Sequence, residues 1–136
     1  MNTFLSKKIS ALNLQETLIV LAIIGILLLL ALPNLMPLIA KAKSVEAQVQ
    51  LKAIYNAQTT HRYMYSKYTN DINELDFEAP KTVKDNGNAN YVYQILNADN
   101  ATFKARAEAV TDFDGDGTLN VWEIDELGTP KQIIKD

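Results

Sequence analysis

The sequence predicts an α+β fold: one long amino-terminal hydrophobic helix packed on a small antiparallel sheet. Three observations carry this prediction. Leu18 to Leu32 contains no charged or polar side chain. From Leu38 onward, apolar residues recur every three or four positions as far as Tyr68, which is the helical period. After Tyr68 the pattern changes to short alternating runs separated by Asp, Asn and Gly, the mark of strands and turns.

Residues 1–11 form a polar leader carrying Lys7 and Lys8 and no acid. Residues 12–40 are the apolar half of the helix, with Glu16 the one acid at its start. At 1.5 Å rise per residue, Leu18–Ala40 is long enough to cross a hydrocarbon core of ~30 Å. An acid beside such a segment is costly in lipid unless it meets a positive partner. Pro33 and Pro37 each remove a backbone donor, so a bend is expected there rather than a stop.

Residues 41–68 continue as an amphipathic half with two stripes. One runs through Leu38, Ala42, Val45, Val49, Ala53 and Ala57; the other through Ala47, Leu51, Ile54, His61, Tyr65 and Tyr68. Two stripes imply two partners: the chain's own globular part, and something else.

Residues 69–136 read as a small β-rich part. The helix is expected to end near Lys67–Thr69, and Asn70 or Asp71 to cap a short turn bearing Ile72, Leu75 and Phe77. Residues 81–90, with Asp85-Asn86-Gly87-Asn88, form a loop. Residues 91–96 and 103–110 are expected strands, the second alternating strictly; 121–124 and 132–134 supply a hairpin turning at Gly128.

Composition narrows the function. The 136 residues allow one small domain beside the apolar segment. With no cysteine, neither disulfides nor thiolate metal sites are available. Formal net charge is -3; without the leader, 11 basic residues face 16 acidic ones, or -5. Such a chain is a poor nucleic-acid binder. Lys7 and Lys8 flank the apolar run on one side and Lys41 and Lys43 on the other, so charge does not orient it.

Counting Leu12 as the first residue of a trimmed chain puts Glu16 fifth, Gly25 fourteenth and Pro33 twenty-second, with Ala22-Ile23-Ile24-Gly25-Ile26-Leu27 between them. In these features the sequence resembles the type IV pilins and the pseudopilins of type II secretion. It departs from them at Ala11 and Leu12, where glycine and phenylalanine are usual, and at Asn13-Leu14-Gln15. The resemblance covers about the first quarter of the chain. It implies cleavage after Ala11 by a prepilin peptidase, methylation of the new Leu12 amine, and polymerisation helix to helix. It also implies a single-pass inner-membrane subunit with a cytoplasmic leader and periplasmic carboxy-terminal part, later assembled in a filament. Trimming would place the Leu12 ammonium one turn from Glu16, within a subunit or between staggered neighbours. That cation is the partner the acid needs.

Residues 112–123 read DFDGDGTLNVWE. Asp112, Asp114, Asp116, Thr118, Asn120 and Glu123 occupy loop positions 1, 3, 5, 7, 9 and 12, with Gly117 at 6. This is the calcium-loop pattern of EF-hands, whose hard cation takes six to eight oxygens. The flanking segments read as strands, so the expectation is a Ca2+ loop grafted between strands. The plainer reading is an acidic turn using aspartates for local hydrogen bonds. Major pseudopilins carry a calcium site in this region where many pilins use a disulfide, so the resemblance favours the pseudopilin branch.

The lone His61 lacks neighbours for catalysis or zinc and reads as a helix-surface residue. Trp122 is expected to pack beneath the loop, an exposed tryptophan being a contact instead. Tyr63, Tyr65, Tyr68, Tyr91 and Tyr93 are expected to line the helix–sheet seam, a cluster of them on the outside suiting subunit contacts instead. The combined reading is a non-enzymatic subunit of a type II secretion pseudopilus. Its expected partners are copies of itself, the peptidase, the inner-membrane assembly platform, minor pseudopilins, and membrane lipid before assembly. A type IV pilus subunit for adhesion, motility or DNA uptake is the alternative. A third reading takes Ala40-Lys41-Ala42 as a signal-peptidase site that releases a soluble calcium-binding protein at Lys43.

Overall fold

The computed structural model describes residues 13–136. These form one long helix, α1 (Leu14–Tyr65), and four strands, β1 (Tyr91–Ala98), β2 (Phe103–Ala109), β3 (Val121–Asp125) and β4 (Lys131–Ile134). Single 3-10 turns occupy Ile72–Glu74 and Val83–Asp85. By compactness the chain divides into two units after Leu35.

In the first unit Asn13 opens α1, its Oδ1 accepting the Glu16 N–H at 2.9 Å. That satisfies one of the donors a helix start leaves orphaned. Every residue from Asn13 to Pro33 is exposed. Leu14–Pro33 is long and apolar enough to cross a membrane, and the described residues of the chain give its side chains no cover. The helix assignment continues through Pro33 and Pro37.

The second unit is built on one face of α1. Ala40, Ser44, Ala47, Leu51, Ile54, Gln58 and His61 are buried, each three or four residues from the last. Of these, Ala40, Ala47, Leu51 and Ile54 pack with Tyr91 on β1, Phe103, Ala105 and Ala107 on β2, and Ile124 on β3. The alternation expected of β2 is present: Phe103, Ala105, Ala107 and Ala109 point inward. Alanine at successive inward positions leaves room for the helix to lie close to the sheet. The other stripe stays exposed from Leu38 to Ala53, with Val45 and Val49 more than half accessible; Ala57 alone packs partly against the core.

The sheet is an antiparallel meander in the order β1-β2-β3-β4. β1 runs two residues beyond the expected strand, with a register irregularity between Ile95 and Asn97. The β3–β4 hairpin turns at Gly128 as expected, and the reason is steric. Gly128 has φ +79°, and a Cβ there would stand 2.8 Å from the Tyr55 ring. Lys52 ties this turn to α1, its Nζ donating to the Gly128 carbonyl at 2.8 Å.

Three expectations are corrected. Tyr63 and Tyr65 are exposed rather than in the helix–sheet seam, which Tyr68, Tyr91 and Tyr93 do line. α1 ends at Tyr65 rather than near Lys67–Thr69, because Ser66 takes a left-handed conformation at φ 61°. Beyond it, buried Gln58 holds the Thr69 backbone from both sides: Nε2 donates to the carbonyl at 2.7 Å and Oε1 accepts the amide at 3.0 Å. His61 is buried, not on the surface. Its Nδ1 lies 2.9 Å from the Lys67 carbonyl and its ring 4.6 Å from that of Tyr65. Asp71 caps the following 3-10 turn, accepting the Asn73 N–H at 2.9 Å.

Candidate metal centre and assembly segment

The acidic loop joins β2 to β3 and is folded by its own aspartates. Asp112 Oδ1 accepts the amides of Asp114 and Gly115 at 3.1 and 2.7 Å, and Oδ2 accepts that of Gly117. Asp114 Oδ1 accepts the Asp116 amide at 3.0 Å, and Asp116 Oδ1 that of Thr118 at 2.7 Å. Gly115 and Gly117 supply the positive φ angles that let the chain curl around these oxygens.

The curl gathers Asp112, Asp114 and Asp116, and a fourth acid joins them from the far end of the chain. One carboxylate oxygen from each of these and of Asp136 falls within a group no wider than 4.8 Å. Asp136 is held there by the Phe113 amide, which donates to its Oδ2 at 2.7 Å. Its Oδ1 is buried with no hydrogen-bond partner.

Electrostatics sets Asp112 apart from Asp114. The Gly117 amide, helped by those of Gly115 and Asp114, holds the Asp112 carboxyl below its ordinary pKa. Asp114 moves the other way. The Asp116 amide pulls its pKa down, but desolvation, the charges of Asp116 and Asp136, and a hydrogen bond with Asp136 outweigh that pull and raise it. Crowded carboxylates and one orphaned buried oxygen suit a hard cation with oxygen ligands.

Two of the other expected ligands, Glu123 and Asn120, are engaged by other partners. Glu123 sits on β3 opposite Arg106 of β2, and Arg106 Nη2 approaches its Oε1 to 2.6 Å. Lys104 stands 3.8 Å from its other oxygen. Asn120 is fully buried, and its Oδ1 accepts the Tyr91 hydroxyl at 3.1 Å. Thr118 remains in the loop, its amide held by Asp116. β3 begins at Val121, which carries Glu123 onto the sheet.

Asp136 escaped the sequence reading, yet a signal existed. Val121 pairs with Ile134, so antiparallel register returns the residues after β4 to the end of the loop before β3.

At the other end, Glu16 lies exposed in the first turn of α1. The proposed cleavage and methylation residues, Ala11 and Leu12, lie outside the described residues. Among the described residues, His61 is joined by no cluster of metal-binding side chains; Glu74 stands 3.8 Å from its Nε2.

An exposed apolar helix continuing into a helix-on-meander domain is an α+β, pilin-like fold, and a framework for a structural protein. No family model matches the chain. Over 65 residues it is 42% identical to the type IV major pilin protein PilA of Myxococcus xanthus (strain DK1622), which covers 48% of this chain. The match spans 30% of the length of that relative. The similarity supports the pilin family.

Proposed function

We propose that this chain is a subunit of a type IV pilin-like filament, anchored in the membrane by α1 and polymerised through it. The observation that carries this reading is the pairing of the apolar, wholly exposed Leu14–Pro33 segment with similarity to a type IV major pilin. That similarity favours a pilus subunit over the secretion pseudopilus expected from the loop. The pseudopilus retains one specific support, the cysteine-free acidic group of Asp112, Asp114, Asp116 and Asp136.

In this reading trimming after Ala11 exposes the Leu12 amine, and Glu16 pairs with that cation on a neighbouring subunit. The pairing sets axial register as helices leave the lipid. The apolar surface then exchanges lipid for other helices, and the subunit acts mechanically, without catalysis.

The same proposal gives the acidic loop a stapling role. Asp112, Asp114, Asp116 and Asp136 would hold Ca2+, which neutralises their mutual repulsion and ties the chain's last residues to the loop. Extracellular modules bind calcium at about 10⁻⁴–10⁻³ M, so the site would fill outside the cell.

Mass spectrometry of the mature chain and electron microscopy of cells test the reading together. The expected mature terminus is Leu12, and surface filaments should contain the chain. A Glu16→Ala chain should be trimmed normally but fail to enter filaments; normal filaments from it would overturn the proposed pairing. A terminus at Lys43 would overturn the filament reading itself. Loss of protein export in a deletion strain with no surface filament would assign the chain to secretion.

A further inference from the structure

A cavity of about 420 Å³ in the second unit lies beside the acidic group and shares Asp136 with it. Leu38 and Lys41 of α1 line it together with Asn120, Trp122, Lys135 and Asp136. Asn120 is fully buried, yet its Nδ2 has no acceptor; nor has the buried Nε1 of Trp122. Leaving a buried donor unmade costs about 1–3 kcal/mol, so two on one cavity wall point to an occupant that accepts hydrogen bonds. Water satisfies such donors but makes no use of the two lysines beside them. Two lysines here meet one lining acid, Asp136, whose Oδ2 is engaged by the Phe113 amide and whose unpaired Oδ1 belongs to the acidic group that a cation would neutralise. Two unpaired donors beside two lysines point to an oxyanion.

We propose that this cavity binds the phosphate of a membrane phospholipid headgroup. The position of the lining residues in the chain selects this source. Pro37, Leu38 and Lys41 follow the end of the apolar Leu14–Pro33 segment by only four to eight residues of the same helix. In a membrane-anchored chain such positions lie at headgroup depth, where lysine meets lipid phosphate. The phosphate takes its hydrogen bonds from Asn120 Nδ2 and Trp122 Nε1 and its charge from Lys41 and Lys135. Pro37, Leu38 and the indole meet the glycerol carbons. The subunit is thereby seated at a fixed depth before it enters a filament. The proposal rests on the reading of α1 as membrane-inserted, but not on filament assembly.

Trp122 is the only tryptophan, so its indole N–H is a single, assignable probe. The full chain, held in maltoside micelles that carry no phosphate, is titrated with dihexanoyl phosphatidylglycerol and separately with inorganic phosphate. The lipid should shift the indole N–H resonance saturably. Lys41→Gln/Lys135→Gln should weaken the apparent affinity about tenfold or more, as loss of charge-assisted contacts requires. Lys84→Gln should leave it unchanged.

No saturable shift with lipid, or a shift the double variant does not weaken, overturns the proposal. Equal affinity for inorganic phosphate overturns the lipid as source. A shift produced by raising protein concentration without lipid assigns the cavity to a second copy of the chain. Failure here leaves the filament reading intact, because that reading is tested by the mature terminus and by microscopy.

Discussion

Arg106 and Glu123 face each other across β2 and β3, with Arg106 Nε and Nη2 at 3.0 and 2.6 Å from the same carboxylate oxygen. The contact withdraws from the acidic loop the residue its sequence pattern places as the closing ligand. A loop whose spacing resembles a calcium-binding hand thus gathers Asp112, Asp114 and Asp116 with Asp136, while its twelfth-position acid faces Arg106.

Glu123→Gln should accordingly lower stability by about 1 kcal/mol, the worth of a partly exposed ion pair, and leave any calcium response unchanged. Urea denaturation with and without calcium reads both effects. A calcium response abolished by this variant would return Glu123 to the metal shell.

Asp136→Asn and Asp116→Ala should each remove the difference in melting temperature between calcium and chelator. In the unaltered chain, calcium at a hundred times its dissociation constant adds ~2.7 kcal/mol. Thermal melts of the three chains, each in both conditions, check this. A melting curve of the unaltered chain that chelator does not move would remove calcium from the account.

Acid should destabilise the domain through Asp99 and Asp112. The Thr102 and Ala101 amides and the Thr102 hydroxyl hold the Asp99 carboxyl below its ordinary pKa, and the Gly117 amide does the same for Asp112. A folded pKa below the unfolded one means that the unfolded chain binds more protons between the two values. The contribution is therefore complete above the unfolded pKa and is lost as pH falls through the folded one. Asp114 is raised and has the opposite sign: its contribution is present at low pH and lost as pH rises through its folded pKa. Denaturation midpoints from about pH 5 to pH 2 should fall in the unaltered chain, and fall less in Asp99→Asn.

Gly128→Ala should cost about 1–3 kcal/mol, from a left-handed backbone and contact with the ring. The Cβ would stand 2.8 Å from Tyr55. Calorimetry should show a lowered melting temperature, with part of the loss recovered on combining it with Tyr55→Leu.

Most of the secondary structure was legible because its signals are local. Strict alternation announced β2, the apolar run announced the first half of α1, and Gly128 marked its own turn. The helix end was misread because Ser66 carries no strong stop signal; the chain turns there, and buried Gln58 and His61 hold the backbone that follows. His61 itself looked solvent-facing because its capture by the Lys67 carbonyl depends on that turn.

The two stripes on α1 show where local information ends. Val45 and Val49 are as apolar as Leu51 and Ile54, yet the first pair is exposed and the second buried. Hydrophobicity states that a surface requires cover, not which partner provides it. The three loop aspartates came together as their spacing required, because Asx turns act over two to five residues.

By itself, then, the order of residues determined the apolar half of α1, the helical period, the strands and the curl of the acidic loop, all products of steric and hydrogen-bonding rules acting between near neighbours. Tertiary structure alone decided that Glu123 belongs to Arg106, that Asp136 belongs to the loop, and which helix face is covered. Those choices depend on strand register and on which side chains meet across the sheet, and folding brings such groups together from distant parts of the chain.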